Sequence, residues 1–401
     1  MKKHIEQLRA ISKKRQRRII GLMSGTSLDG LDVALCSFSG AGSRSKVQLT
    51  HFATLPYPEA FRDEVRRVFA KKEIDFQHLT LLNVLVAQQH ADLVNQCLTD
   101  WGIAARDVDL LASHGQTVYH APRVFHGMAQ YPDATLQIGD GDHIARRTGI
   151  ITLSDFRQKH VAAGGEGAPL ALYGDYFLFS KKGAERYLLN IGGIANFTYL
   201  PADGDPQRAF ATDTGPGNTL LDSFARILFN VPFDEGARLA AHGRVLPQLL
   251  DILKTEPFFA KPFPKTIGPE LFSAAWVEAA VQHLPKGHNN PYDLMATLAQ
   301  LSADTIAEAL LRNADSNPPV PKRQLYLSGG GAHNPFIVSA LKKHLKGWRI
   351  SPMSELGIDG DAKEAVLFAA LANETLAGNN EGHATLGGVP LVGMGKISFP
   401  D

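Results

Sequence analysis

Gly21-Leu22-Met23-Ser24-Gly25-Thr26-Ser27-Leu28-Asp29-Gly30 lies between an apolar lead-in at Ile19 and Ile20 and a second apolar run, Leu31-Asp32-Val33-Ala34-Leu35-Cys36. The small and hydroxylated residues at its centre suit a turn, and the run that follows begins with period-two alternation. The stretch therefore reads as two short strands closed by a loop. Gly25, Thr26 and Ser27 gather backbone N–H groups and two hydroxyls at that turn, which can form a nest for an anion. An ordinary tight turn would use the same residues. Asp29 follows within reach of a hydrated cation, or of the turn's own N–H groups. The pattern GxxxxGK[ST] is absent, so this is not a P-loop.

A second unit of the same kind is Tyr187-Leu188-Leu189-Asn190-Ile191-Gly192-Gly193-Ile194-Ala195-Asn196-Phe197-Thr198-Tyr199-Leu200. Two hairpins about 170 residues apart suggest two related domains rather than a solenoid, although the residues are too diverged for sequence alone to prove duplication. Thr212-Asp213-Thr214-Gly215-Pro216-Gly217-Asn218 comes next, with Gly215 and Gly217 permitting close backbone approach. Asp213 is a candidate functional carboxylate. Its plain structural alternative is an Asx turn that accepts the N–H of Gly215. A strand at Gln324-Leu325-Tyr326-Leu327 then runs into Ser328-Gly329-Gly330-Gly331, ahead of a helix start at Asn334-Pro335. Three consecutive glycines cost backbone entropy, and a flat ligand lying on the chain would explain them.

Between these loops, residues 59–99 read mostly as helix, with Leu79, Leu82, Val86 and Leu93 as apolar positions, and Asp293 to Leu311 reads as another. Val108 to Thr117 is a buried strand ending in polar residues, where α/β sheets present ligand groups. In Asp361-Ala362-Lys363-Glu364, Asp361 at the N-cap with Glu364 at N3 would make a capping box. A first-turn carboxylate can instead face a ligand hydroxyl.

Length and composition set the limits. The chain has 401 residues, 44% of them apolar and 20% charged, which fits two globular domains. A formal net charge of +1 gives no overall pull toward nucleic acid or membrane. Cys36 and Cys97 match no metal or CxxC spacing and read as buried thiols of a reducing cytoplasm. No run of about 18 apolar residues stands out as a membrane span. The first 18 residues carry eight lysines and arginines against Glu6 alone, with no apolar h-region after them. They are expected to form a solvated extension or a short surface helix.

Three glycine-rich turns at strand ends, with Asp29 and Asp213 near two of them, describe a site for a triphosphate. The arrangement resembles the two-lobed actin-like fold of sugar kinases and heat-shock ATPases: α/β, with a mixed sheet in each lobe and an interdomain cleft. A narrower resemblance rests on Gly21 to Gly30, His114-Gly115-Gln116-Thr117, Leu136-Gln137-Ile138-Gly139-Asp140, Asp155-Phe156-Arg157, Gly164-Gly165-Glu166-Gly167-Ala168-Pro169-Leu170, Asn190 to Asn196, Asp213 to Asn218 and Gly360-Asp361-Ala362-Lys363-Glu364-Ala365. In that order these motifs resemble the anhydro-N-acetylmuramic acid kinases. His160 departs from the pattern, standing where an aspartate is expected.

The resemblance implies ATP and Mg²⁺, with 1,6-anhydro-N-acetylmuramic acid as the sugar, ring opening with phosphorylation of O6, and a place in peptidoglycan recycling. It implies Asp213 as the base that activates water and Glu364 as a second carboxylate that holds sugar hydroxyls or orients the water. Gly25, Thr26, Ser27, Gly192 and Gly193 would line the phosphates, Asp29 would act on the metal through water, and Gly329, Gly330 and Gly331 would border the nucleoside. His114, Gln116, Asp140 and Arg157 would contact the sugar. The expected organisation is a basic extension over 1–18, a first lobe over 19–150 rejoined by 386–401, an interlobe and substrate-contact segment over 151–185, and a second lobe over 186–385. The expected partner is a small molecule, with no nucleic acid and with a homodimer left open. The rival readings are an interaction ATPase of the heat-shock type, a phosphosugar sensor, and a kinase for an ordinary open sugar.

Overall fold

The computed structural model describes residues 2–168, 170–268, 271–285, 290–317, 320, 322–358, 360–378 and 385–401. The chain divides into two compact units, residues 1–179 with 357–401 and residues 180–356.

In the first unit β1 (Arg17–Ser24), β2 (Gly30–Ser39) and β3 (Lys46–Pro56) form an antiparallel meander. On its other side β1 runs parallel to β4 (Leu110–Ala121). β5 (Ala134–Ile138) folds back on the end of β4, and β6 (Thr152–Ser154) lies parallel to β4. The second unit repeats the plan. β7 (Glu185–Ile191), β8 (Ile194–Leu200) and β9 (Phe210–Pro216) form an antiparallel meander. β10 (Arg323–Ser328) runs parallel to β7, and β11 (Arg349–Pro352) parallel to β10. The chain then returns to the first unit through the helix Lys363–Ala377, a short pair β12 (Thr385–Leu386) and β13 (Val389–Pro390), and β14 (Lys396–Ser398), which pairs antiparallel with β6.

The sheet orders are β14-β6-β4-β1-β2-β3 and β11-β10-β7-β8-β9. With β5 and β14 set aside, both units run third, second, first, fourth, fifth, with the same parallel and antiparallel senses. The relationship that residue identities left open is explicit in the topology, and the expectation of an α/β protein with a mixed sheet in each lobe holds. The drawn boundaries differ from the units found. Residues 151–179 and the helix Lys363–Ala377 belong to the first unit, and that helix packs on β1, β2 and β4. Gly21 is what lets it in: a Cβ there would lie 1.9 Å from the Ala365 carbonyl oxygen. On the other side Leu82, Val86 and Val94 of the helix Phe76–Asp100 join Ile20, Leu22 and Leu35 in one core. Two covered faces explain why β1 is buried almost throughout instead of alternating.

The helix Pro291–Asp315 is long and apolar enough by length and composition to cross a membrane, which corrects the reading that no stretch is. It is the central helix of the second unit, with Leu298, Leu301, Ile306 and Leu310 fully buried in that unit's core. Of the two expectations for the basic N-terminus, the short surface helix is the one found. The helix Lys2–Ser12 buries His4 and Ile11, and the His4 ring stacks on Phe399 at 5.1 Å and bonds Asp401. Arg17 already belongs to β1 and is only 3% exposed. Its guanidinium donates to Asn373 Oδ1 at 2.8 Å and to the carbonyls of Lys14 and Gly40, so the buried donors are satisfied. Cys36 and Cys97 are free and buried, and burial pushes the Cys36 thiol up to about 12.

Candidate active site

The β1–β2 turn presents its polar residues outward. Thr26, Ser27 and Asp29 are exposed, while Leu28, at φ 60°, is buried and anchors the loop. A Cβ on Gly25 would meet nothing nearer than Ser27 Oγ at 3.7 Å. Packing among the described residues therefore does not require glycine there. Beneath the loop runs a buried chain of hydrogen bonds. Ser24 donates to Gln116 Oε1 at 2.5 Å and accepts from Tyr57 Oη at 2.8 Å, and Tyr57 Oη lies 2.9 Å from His90 Nε2. Because the Tyr57 proton goes to Ser24, His90 must donate through Nε2. Burial lowers the His90 pKa to about 4, so the ring is neutral. Gln116 also donates to the Gly25 and Thr117 carbonyls. It is fully buried, and its amide fastens the loop to β4.

Arg157 and His114 form a pair. Arg157 Nε donates to His114 Nε2 at 3.0 Å, and Nη1 donates to the Gly167 carbonyl at 2.7 Å. That leaves Nη2 without a partner among the described residues. Burial, followed by the Arg157 charge, depresses the His114 pKa to about 3, so His114 is a neutral acceptor that orients Arg157. Glu364 lies close enough to feel the same guanidinium. Its carboxyl is raised by desolvation, against the opposing charges of Arg157 and Lys363, although the residue reaches solvent. A carboxylate packed by protein yet open to solvent is suited to a ligand. The capping alternative for it is corrected: the N-cap of the helix Lys363–Ala377 is Ala362, with no side-chain cap bond. Asp140 Oδ1 accepts the Asp142 N–H at 2.9 Å and caps the helix Gly141–Thr148.

His160, where an aspartate was expected, is buried. Its Nδ1 accepts the Gly167 N–H at 2.9 Å, and its ring meets Tyr173 edge-on at 5.4 Å. A Cβ on Gly165 would fall 2.2 Å from the imidazole. His160 therefore fills the space under the loop whose carbonyl, at Gly167, positions Arg157. Pro169 of the same motif lies outside the described residues.

In the second unit the Gly192–Gly193 turn is held by main-chain hydrogen bonds. The N–H of Gly217 bonds the Gly193 carbonyl and that of Asn218 the Gly192 carbonyl, both at 2.8 Å. A Cβ on Gly217 would fall 2.3 Å from the Gly192 oxygen, so glycine is obligatory there. Between β8 and β9 the register slips: Ala195 faces Gly215 but Asn196 faces Asp213, leaving Thr214 as the extra residue of a bulge. Such a bulge re-aims the side chains beside it. Asp213 Oδ2 accepts the Ile267 N–H at 2.8 Å, which corrects the Asx-turn alternative, and no hydrogen bond reaches Oδ1 among the described residues. Desolvation raises the Asp213 carboxyl, opposed by the Ile267 bond and by Lys265.

The triple glycine divides. Gly329, at φ 80°, has Asn190 Oδ1 and the Ile191 carbonyl against any Cβ, and Gly331 would clash with Ile191 Cγ2 at 2.2 Å. Only Gly330, whose Cβ would meet Asn218 Nδ2 at 3.5 Å, lacks a packing reason. Among the described residues no three His, Cys, Asp or Glu side chains form a group that could hold a metal ion.

The family profile described as anhydro-N-acetylmuramic acid kinase matches residues 17–394, the span that carries all of these loops. The chain belongs to that family. It is 49% identical over 404 residues to an anhydro-N-acetylmuramic acid kinase of Pseudoalteromonas atlantica, covering the whole of both chains. It is 38% identical to one of Caldanaerobacter subterraneus, covering 98% of this chain and 100% of the other. A solved structure, the activator of the 2-hydroxyisocaproyl-CoA dehydratase from Clostridium difficile with bound ADPNP, aligns at a TM-score of 0.40 and 14% identity, covering 90% of this chain and 95% of that one.

For a member of this kinase family, the segment that sequence reasoning missed is 257–267. Lys265 pairs with β9 through its main chain, accepting the Asp213 N–H at 2.9 Å and donating to Thr212 Oγ1. Nothing local announces it: the segment has no motif and is brought to β9 only by tertiary folding.

Proposed function

We propose that this kinase adds water to C1 of 1,6-anhydro-N-acetylmuramic acid, opens the 1,6-anhydro bridge, and transfers the γ-phosphoryl group of ATP to O6. The products are N-acetylmuramic acid 6-phosphate and ADP. The C1–O bond to water forms as the C1–O6 bond breaks. O6 bonds to the γ-phosphorus as the bond to the ADP oxygen breaks, and the proton from water goes to Asp213. O6 leaves as the nucleophile for phosphorus, so no separate acid is needed for it. The reading places the protein in peptidoglycan recycling in the cytoplasm.

The observation that supports this reading is the state of Asp213. One oxygen is fixed by a backbone N–H, the other accepts no hydrogen bond among the described residues, and desolvation raises the carboxyl above its ordinary value. Gly25, Thr26, Ser27, Gly192 and Gly193 are assigned to the phosphates, and Gly330 to the nucleoside, with Gly329 and Gly331 shaping that loop. Arg157, through Nη2, and Glu364 are assigned to the sugar's charged and hydroxyl groups, with His114 orienting Arg157.

Mg²⁺ binds through one or two carboxylates, substrate phosphates and its own waters, so the lack of a three-carboxylate group is compatible with it. Exposed Asp29 is a donor of that kind. Bound there, Mg²⁺ supplies neutralisation of phosphate charge.

Asp213→Asn keeps the size of the side chain and removes the base. Single-turnover product formation from the anhydro sugar should fall by roughly 10²-fold or more, with an unchanged ATP isotherm and melting curve. Turnover within about threefold of the parent would remove Asp213 from this role. Reducing N-acetylmuramic acid, run in parallel, should give no comparable rate. Equal rates would favour a kinase of open sugars.

A further inference from the structure

The chain around Asp213 carries a buried cation, Lys265, and a half-buried one, Arg312, that the reaction scheme does not use. Lys265 is 7% exposed, and its Nζ donates to the carbonyls of Phe258 and Phe259, each at 2.9 Å. The same ammonium lies 4.2 Å from the centre of the Phe258 ring. Arg312, from the helix Pro291–Asp315, donates to the Phe259 carbonyl at 3.1 Å and to that of Lys261 at 3.0 Å. Its guanidinium sits 4.1 Å from the Phe263 ring centre. Two cations thus converge on one carbonyl and gather residues 258–265 into a fixed loop.

That loop is tied to the base at three places. Thr212 Oγ1 accepts the Lys265 N–H, the Lys265 carbonyl accepts the Asp213 N–H, and two residues on, the Ile267 N–H binds Asp213 Oδ2. Phe259 lies so close to Gly215 that a Cβ there would be 2.8 Å from its ring. An ordinary surface turn has no need of a buried ammonium, since a lysine stem can carry its charge to water. Burial of this one is maintained by the carbonyls and rings that surround it.

We propose that Lys265 is a positioning residue for Asp213: by clamping the Phe258 and Phe259 carbonyls it sets the loop that presents the Ile267 N–H to Oδ2 and leaves Oδ1 for the water. This rests on the reading of Asp213 as the base. The groups facing Lys265 are Asp213 on β9, Arg312 on the helix Pro291–Asp315, and Lys261 on its own loop. Desolvation, then Arg312, lower the Lys265 pKa to about 8, opposed by Asp213. The clamp is therefore intact below that pH and loosens as pH rises through it.

The test is the single-turnover rate against pH with ATP, Mg²⁺ and the anhydro sugar. The parent should lose rate above about pH 8, where the Lys265 ammonium gives up its proton. Lys265→Arg, which stays charged, should keep most of the neutral-pH rate and carry the alkaline limb upward by at least one unit. Lys265→Met, which keeps the apolar stem, should lose about tenfold in kcat with the ATP isotherm unchanged, and its acidic limb should rise because Asp213 loses a nearby positive charge. If Lys265→Met does not fold, the Lys265→Arg profile decides alone. A Lys265→Arg profile that superimposes on the parent's, or a Lys265→Met rate equal to the parent's, overturns the proposal. Asp213→Asn separates the two ideas. If Asp213→Asn is inactive while the Lys265 variants are unaffected, only the clamp fails; if Asp213→Asn is active, the base reading itself fails.

Discussion

The two units share a strand order but fix their hairpin loops by different means. In the first, the Gly25–Asp29 loop rests on side chains, through Gln116, Ser24, Tyr57 and His90. In the second, the Gly192–Gly193 loop rests on the N–H groups of Gly217 and Asn218, with Asn218 Nδ2 bonded to the Ile191 carbonyl. Backbone–backbone fastening tolerates side-chain change but not a Cβ in the wrong place. A buried side-chain relay tolerates neither the loss of a hydroxyl nor a charged histidine. The same topology can therefore carry loops with different vulnerabilities.

The largest expected effect breaks the second loop. Gly217→Ala puts a methyl group 2.3 Å from the Gly192 oxygen, so the fastening must open. ATP affinity should fall by about tenfold or more, together with a lower Tm, at a cost of roughly 1–3 kcal/mol for the overpacking. Gly25→Ala is the contrast. It has room within the protein, so its Tm should match the parent's while ATP affinity falls, a split read by calorimetry beside a melting curve. If Gly25→Ala binds ATP normally, the first loop is an ordinary turn.

A smaller effect is expected from Tyr57→Phe. Removing the hydroxyl leaves the His90 Nε2–H without its acceptor in a fully buried place, which costs about 1–3 kcal/mol. Denaturant unfolding should show that loss with an unchanged m-value. A cost below about 0.5 kcal/mol would mean the relay is not holding the loop.

The smallest effect is a pH difference confined to the first unit. With a pKa of about 4 when folded and an ordinary value of 6.5, His90 stays neutral in the native state while the unfolded chain takes up a proton. Stability from this group is fully present above pH 6.5 and is lost as pH falls toward 4. Asp32, Glu364 and Glu374 are raised, chiefly by burial, and act in the opposite direction, so the informative quantity is the parent compared with His90→Gln. The glutamine amide can still donate to Tyr57, and its Tm should fall less between those two pH values. Parallel curves for the two proteins would dismiss the histidine.

The candidate site is legible where its signals are local. Gly25, Gly192 and Asp213 stand in short motifs whose turn chemistry can be read within ten residues. Gln116 and Asp140 show what such reading leaves out: each is polar and sits in a motif, and the structure adds that Gln116 bonds to the loop above it and Asp140 caps a helix. A polar residue in a motif does not reveal whether its bonds go to a ligand or to its own fold. The triple glycine carries the same ambiguity, since Ile191, distant in sequence, gives Gly329 and Gly331 a packing reason.

The sequence by itself determined the hairpins, the glycine turns, the candidate carboxylates and the family, because each is written in neighbouring residues. Tertiary structure alone decided that the helix Lys363–Ala377 lies on the first sheet, that Lys265 and Ile267 frame Asp213, and that His160 fills the space beneath the Gly167 loop. These are contacts between segments far apart in the chain. They depend on volume and on which N–H meets which carbonyl, and no single stretch of residues contains that information.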